Sequence, residues 1–272
     1  MKKTINTLKY MFLVLVSIIS IFPFLWMLIS MTNKSVEVTK GSLIPGGYLF
    51  ENIKNLFGSD LNFASSLWNS AKIAIITTIL ALMIASLAGY GFEIYRNKVR
   101  DRIFNILLLS MMVPFAALMI PLFKMFGNFS VFGLDTAAAV IIPSISTAFL
   151  IFFFRQNTKS FPKDILEAGR IDGLNEIQIF TKIYVPTMKS TYAAAAIITF
   201  MGSWNNYMWP LIALQSPEKR TVPLIISTMG SSYSPDYGMI MAGIVIATIP
   251  TALVFFLMQK HFVAGMLGSV KG

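Results

Sequence analysis

Six stretches of this chain carry no Asp, Glu, Lys or Arg, and their lengths narrow what it can fold into. They comprise 24 residues between Lys9 and Lys34, 20 between Lys72 and Glu93, 21 between Arg102 and Lys124, 19 between Asp135 and Arg155, 28 between Lys189 and Glu218, and 23 between Asp236 and Lys260. A helix rising about 1.5 Å per residue needs about 20 such residues to cross about 30 Å of hydrocarbon. A core helix of a water-soluble domain keeps a polar face, and these stretches lack one. Only 12% of the 272 residues are charged, against about 25% in soluble domains. The sequence therefore predicts an all-α integral membrane protein, a single membrane domain over 1–272. Six transmembrane helices are expected at about 10–33, 70–92, 103–123, 136–154, 190–214 and 238–259.

The first span follows a basic start, Lys2-Lys3, but its apolar run is too long for a secretory signal core. Ser30-Met31-Thr32-Asn33-Lys34 offers no small-residue cleavage site, so it reads as a retained anchor. With both termini in the cytosol, 15 Lys and Arg fall on inside segments and 6 on outside ones, with Lys72 snorkelling at the outer edge. Positive charge on the inner side fixes that orientation. The net charge of +10 then belongs beside anionic lipid headgroups and not on nucleic acid. Pro23, Pro114, Pro121, Pro143, Pro210 and Pro250 lie in or near the spans. They read either as ordinary kinks or as bends that shape a pathway.

Several chemistries are excluded. The chain has no Cys and one His, His261, which rules out disulfides and thiolate catalysis and leaves no metal site expected. No span contains Asp or Glu, which argues against a proton-driven transporter and an intramembrane metalloprotease. No G-x-x-x-x-G-K-[ST] run occurs, so if the chain is powered by ATP, another chain binds it.

The longest inside loop runs from Arg155 to Lys189. Ser160 and Pro162 are helix-start signals, and Ile165, Leu166, Ala168 and Ile171 form one apolar face. Gly173 breaks that helix and Asn175 caps a second, in which Ile177, Phe180 and Tyr184 share a face before Pro186 ends the segment. A short helix, a glycine corner and another short helix are expected at about 160–186. The pair reads either as helices lying on the inner membrane surface or as a docking element.

At these residues a resemblance becomes specific. Glu167-Ala168-Gly169, Asp172-Gly173, Phe180, Ile183 and Pro186 resemble the signature loop of permeases of binding-protein-dependent ABC importers, whose pattern is Glu-Ala-Ala, a Gly, and a later Ile-x-Leu-Pro. Gly169 stands where the family has its second Ala, and Val185 where it has Leu. Asn69-Ser70 resembles the start of that family's conserved core, and Met112-Val113-Pro114 with Pro121-Leu122-Phe123, and Trp204 through Leu211, resemble its sugar branch. So do Gln259-Lys260-His261-Phe262-Val263, Gly265, Gly268 and Val270-Lys271-Gly272. The smaller permease of a maltose-type carbohydrate importer is the closest pattern.

The resemblance implies the ABC importer permease fold with a cytosolic coupling loop, in the bacterial cell membrane. It implies a non-catalytic subunit that pairs with a second permease, two ATPase subunits and an extracytoplasmic solute-binding protein to move a carbohydrate, with an oligosaccharide as the expected cargo, across the bilayer. No cofactor is expected on this chain; ATP and Mg would sit on the partner ATPase. Glu167, Ala168, Gly169, Asp172, Gly173, Leu174, Phe180, Ile183 and Pro186 would couple to the ATPase, and Gln259, Phe262, Gly265 and Lys271 would reach it from the tail. Trp204, Asn205, Asn206 and Tyr207 offer an aromatic plate beside amides, suited to sugar; they read either as pathway residues or as an interfacial aromatic belt with helix packing. The alternative function is a secondary transporter or channel not driven by ATP.

Overall fold

The computed structural model describes residues 2–267, with side chains over 6–260. Among the described residues every regular element is helical. In chain order they are α1 (Lys2–Ser30), α2 (Ser35–Thr39), α3 (Leu49–Gly58), α4 (Phe63–Ile94), α5 (Lys98–Ser110), α6 (Phe115–Gly127), α7 (Ala137–Ile141), α8 (Ala148–Thr158), α9 (Lys163–Ile171), α10 (Glu176–Ile179), α11 (Val185–Thr187), α12 (Lys189–Trp204), α13 (Met208–Ala213), α14 (Val222–Gly230) and α15 (Tyr237–Leu267).

Length and composition fit three helices to a membrane crossing: Asn6–Ser30, Phe63–Ile94 and Tyr237–Lys260. Five fit if each of two bent pairs is one span. The third expected span is one such pair: α5 and α6 meet at a bend of 98°. Pro114 stands just before α6 in extended conformation, where its ring denies a helical hydrogen bond and pushes Val113 out of the helical region. The fourth is α7 with α8, bent by 41° after a 3-10 turn over Ile142–Ser144 that contains Pro143. The fifth, expected at 190–214, is interrupted: α12 ends at Trp204 and α13 begins at Met208.

The chain divides into two compact units. One comprises the chain up to Ala64 with Val222–Pro250. In it the Asn52 amide donates to the carbonyls of Met31 (2.9 Å) and Asn33 (3.0 Å), and Ser35 Oγ donates to Asp236 Oδ1 (2.8 Å). The two Asn52 bonds satisfy carbonyls just past the end of α1. Gly238 lies so close to Asn33 that an added Cβ would meet its carbonyl oxygen at 2.5 Å.

The other unit comprises Ser65–Thr221 and the chain from Thr251. Small residues on α4, Ala81 and Ala85, pack with Phe104 of α5, Leu150, Ile151 and Phe154 of α8 and Ala195 of α12. Gly89 of α4 lets the α8 backbone come within van der Waals reach; a Cβ there would fall 2.6 Å from Phe154 Cβ and 2.7 Å from the Arg155 nitrogen. Trp209 is fully buried, its indole N–H donating to the Ala139 carbonyl at 2.8 Å, so α13 is pinned to α7.

Candidate functional site

The loop over 160–186 is ordered by packing on the end of α4. Phe161, Leu166, Ile179, Tyr184 and Met188 are buried with Tyr90, flanked by Ile94 and Tyr95. Tyr90 sits among the rings of Tyr184 (4.8 Å), Phe180 (5.3 Å) and Tyr95 (6.1 Å), all edge-on, the arrangement ring quadrupoles favour.

The corner is built as the sequence predicts, and its chemistry is now visible. The Gly173 N–H donates to the Arg170 carbonyl (3.1 Å) and the Leu174 N–H to the Gly169 carbonyl (3.0 Å), closing α9 with a Schellman motif. Gly173 has φ +81°, a left-handed angle that Gly adopts freely. No atom lies within 4 Å of the position its Cβ would take, so the requirement is backbone conformation and not space. Asn175 then caps α10: its Oδ1 accepts from the Gln178 N–H (2.9 Å), and Gln178 Oε1 accepts from the Asn175 N–H (3.0 Å), a capping box. Across the corner, Arg170 Nε meets Glu176 Oε1 at 2.9 Å, and the Tyr95 hydroxyl donates to Glu176. Arg170, and after it Tyr95, hold the Glu176 carboxyl below its ordinary range.

Two expected faces are corrected. On α9 the packed residues are Leu166 and Gly169, while Ile165, Ala168 and Ile171 point outward; Ile171 is 87% exposed. The spacing of Leu166 and Gly169, i and i+3, is one side of the helix; of the expected apolar stripe Leu166 lies on it, and Ile165, Ala168 and Ile171 do not. On the second helix Ile177 is 76% exposed, whereas Ile179 and Tyr184 are buried. The cause is a π-turn over Phe180–Tyr184, which inserts one residue per turn and shifts the register. Nor does Pro186 end the segment. It lies in α11, whose start follows the π-turn directly, and α12 begins at Lys189. Ser160 is no cap either: Pro162 is the residue preceding α9.

Of the expected coupling residues, Gly169 is buried, Leu174, Phe180 and Ile183 are half-buried in the anchor, and Glu167, Ala168, Asp172, Gly173 and Pro186 are exposed. The loop therefore offers an outward surface of Ile165, Ala168, Ile171 and Ile177 among charges, over a fixed base.

Beneath it lies a charged group that the sequence reading missed. Arg155, 6% exposed, reaches Glu93 (3.3 Å) and Asp101, and its guanidinium stacks 4.1 Å over the Phe104 ring. Glu93 closes the second charge-free stretch and Arg155 the fourth; opposite charges at two span ends were the available signal. The group joins α4, α5 and α8.

The four expected pathway residues separate. Trp204 is 4% exposed, stacked on Phe200 at 5.8 Å and packed with Ala74. It is a packing residue. The Asn205 amide donates to the Met201 carbonyl at 3.0 Å, closing α12. Tyr207 is partly exposed. Asn206 alone lines a cavity of about 380 Å3 between α4, α8 and α12. Of the tail residues, the Gln259 amide donates to the Phe256 carbonyl at 3.2 Å. Phe262, Gly265 and Lys271, with His261, lie outside the residues whose side chains are described.

Residues 81–268 match the family model described as binding-protein-dependent transport system inner membrane component. The chain is 51% identical over 266 residues to the lactose transport system permease protein of Rhizobium radiobacter, covering 98% of this chain and 96% of that one. It is 35% identical to the arabinooligosaccharides transport system permease protein of Bacillus subtilis (strain 168), covering 96% and 94%. Among solved structures, a chain of a bacterial ABC transporter involved in the import of the acidic polysaccharide alginate superposes with TM-score 0.84 at 22% identity, covering 96% of this chain and 97% of that one. That likeness concerns the fold.

Proposed function

The chain belongs to the family of binding-protein-dependent transport system inner membrane components, and from that premise we propose that it is the smaller permease of an ATP-driven carbohydrate importer. Its relatives carry lactose and arabinooligosaccharides in their names, which supports a neutral oligosaccharide as cargo. In this reading six spans cross the bacterial cell membrane with both termini in the cytosol. A second permease completes the path, two ATPase subunits hold ATP and Mg, and an extracytoplasmic binding protein delivers the sugar.

The observation that carries the reading is the cytosolic loop. A docking element must keep its shape while its partner moves, and it must present apolar surface outside its own core. The Schellman corner, the capping box and the Arg170–Glu176 pair supply the first; exposed Ile165, Ile171 and Ile177 supply the second. Glu167, Ala168, Asp172 and Gly173 lie on the same outward side of the anchor and are the proposed ATPase contacts, with Gln259, Phe262, Gly265 and Lys271 of the tail as a second contact.

The test is made with the chain co-expressed with its neighbouring permease and ATPase. Gly173→Val places a β-branched residue at a left-handed angle, a conformation costing L-residues about 1–2 kcal/mol and β-branched ones more. Sugar uptake and co-purification of the ATPase should be lost while the chain still inserts; Gly173→Asn, which tolerates that angle, should keep both. Undiminished uptake by Gly173→Val, or no complex with the wild-type chain, refutes the proposal.

A further inference from the structure

The cavity lined by Asn206 carries a second reading, which rests on the carbohydrate-import proposal and sharpens it. We propose that this cavity is a subsite for an uncharged saccharide unit, held by this chain's own helices.

Its polar lining is all neutral and all bifunctional. Thr77, Ser144, Thr147, Thr199, Ser203 and Asn206 contribute hydroxyls and one amide, groups that both donate and accept, as sugar hydroxyls do. Phe115 and Phe149 stand in the same wall and offer flat apolar faces of the kind the C–H side of a sugar ring covers. The volume, about 380 Å3, lies at the small end of ligand pockets, which run about 300–1,000 Å3.

A second observation points independently to a ligand. Thr77 is 1% exposed, and its Oγ1 has no hydrogen-bond partner among the described residues. Buried hydroxyls are nearly always paired, because leaving one unmade is costly. The neighbouring threonine on the same helix solves this locally: Thr78 Oγ1 donates to the Ala74 carbonyl at 2.7 Å. Thr77 does not, and it lies on the cavity wall. A saccharide hydroxyl seated against this wall would pair it once Thr77 turns about χ1, since its Oγ1 is buried in the present rotamer.

The lining also states what is refused. Among the described residues no Lys, Arg or His lines the cavity, so a carboxylate or phosphate entering it would shed its water with no cation to compensate. A uronate or sugar phosphate is therefore excluded where a neutral sugar is admitted.

The chain's lack of cysteine allows a direct test. Gly202 also lines the cavity, and a Cβ there meets no atom within 4 Å; Gly202→Cys in the full transporter, in membranes, is alkylated with a small maleimide and read on this chain alone. Lactose and arabinotriose serve as neutral probes and lactobionate as the anionic one, with uptake measured in parallel. The expected result is at least roughly fivefold slower alkylation with a neutral probe and none with lactobionate. In Gly202→Cys/Thr77→Val, the half-protecting sugar concentration should rise roughly three- to tenfold, the effect of one lost hydrogen bond. Uptake of a neutral sugar without protection overturns the subsite and leaves the importer reading standing. Equal protection by lactobionate overturns the charge selectivity, and an unchanged half-protecting concentration removes Thr77 from the site. Neither uptake nor protection with any neutral probe overturns both proposals.

Discussion

Thr158 and Tyr184 meet through their hydroxyls, 2.6 Å apart and both buried, at the point where α8 hands over to the 160–186 loop. Thr158 has one proton, and it goes to the Phe154 carbonyl at 2.7 Å, so Tyr184 is the donor. Burial pushes the Tyr184 hydroxyl above its ordinary range. Thr158→Val strands the buried phenol and should cost about 1–3 kcal/mol; Tyr184→Phe leaves Thr158 bonded to Phe154 and should cost about 1 kcal/mol. Thermal unfolding of the purified complex in detergent gives the order, with Thr158→Val the less stable.

Gly169 is the residue at which this loop departs from the Glu-Ala-Ala pattern. An added methyl would sit 2.7 Å from Ile183 Cδ1 and 3.5 Å from Ile179 Cγ1. Gly169→Ala gains up to about 1 kcal/mol of helix propensity and spends a comparable amount displacing the Ile183 tip. The single change should lie within about 1 kcal/mol of wild type. Adding it to Ile183→Val, which removes the clashing methyl, should raise the melting temperature above that of Ile183→Val alone.

Glu176 braces the corner as a carboxylate. Its value in the folded loop lies below the ordinary 4.5, so its contribution is full above about pH 5 and fades as pH falls through the lower folded value. The pair is partly exposed, at 40% for Arg170 and 48% for Glu176, which limits it to under about 1 kcal/mol. Exchange of the Gly173 and Leu174 amides, corrected for intrinsic rates, should be flat from pH 8 to about 5 and accelerate at most roughly fivefold below that. In Glu176→Gln the acceleration should be present throughout.

Arg155 and Glu93 are a buried pair, 7% and 5% exposed at their side chains. Removing one member leaves the other uncompensated, at about 3–5 kcal/mol. Arg155→Met should destabilise the chain by that order, and Arg155→Met with Glu93→Leu should recover much of it. A thermal shift no larger in the single variant than in the double would show the pair to be dispensable.

Much of this was written in the sequence in local terms. Gly173 and Asn175 announced the corner because a left-handed angle and an N-cap each demand particular side chains. The charge-free stretches announced membrane helices because desolvating a charge is costly. Bends were less legible: charge-free length is blind to direction, and Pro114 breaks its span whereas Pro23 and Pro250 sit inside continuous helices. The face of the second loop helix was misread because spacing rules assume an unbroken 3.6-residue turn, which the π-turn over Phe180–Tyr184 violates. Trp204 suggested a sugar plate by residue type, and its burial against Ala74 and Phe200 was not legible from residue type alone.

That π-turn has a mechanical meaning. Over Phe180–Tyr184 the ladder runs to a longer period, the Val185 N–H reaching back to the Phe180 carbonyl, and Pro186 next door supplies no N–H at all. Helices bend where the ladder is interrupted. The stretch between the corner and α12 is thus where this segment bends most readily, and in the proposed importer a push at Gly173 would reach α12 as a tilt about Pro186 more than as a thrust along its axis.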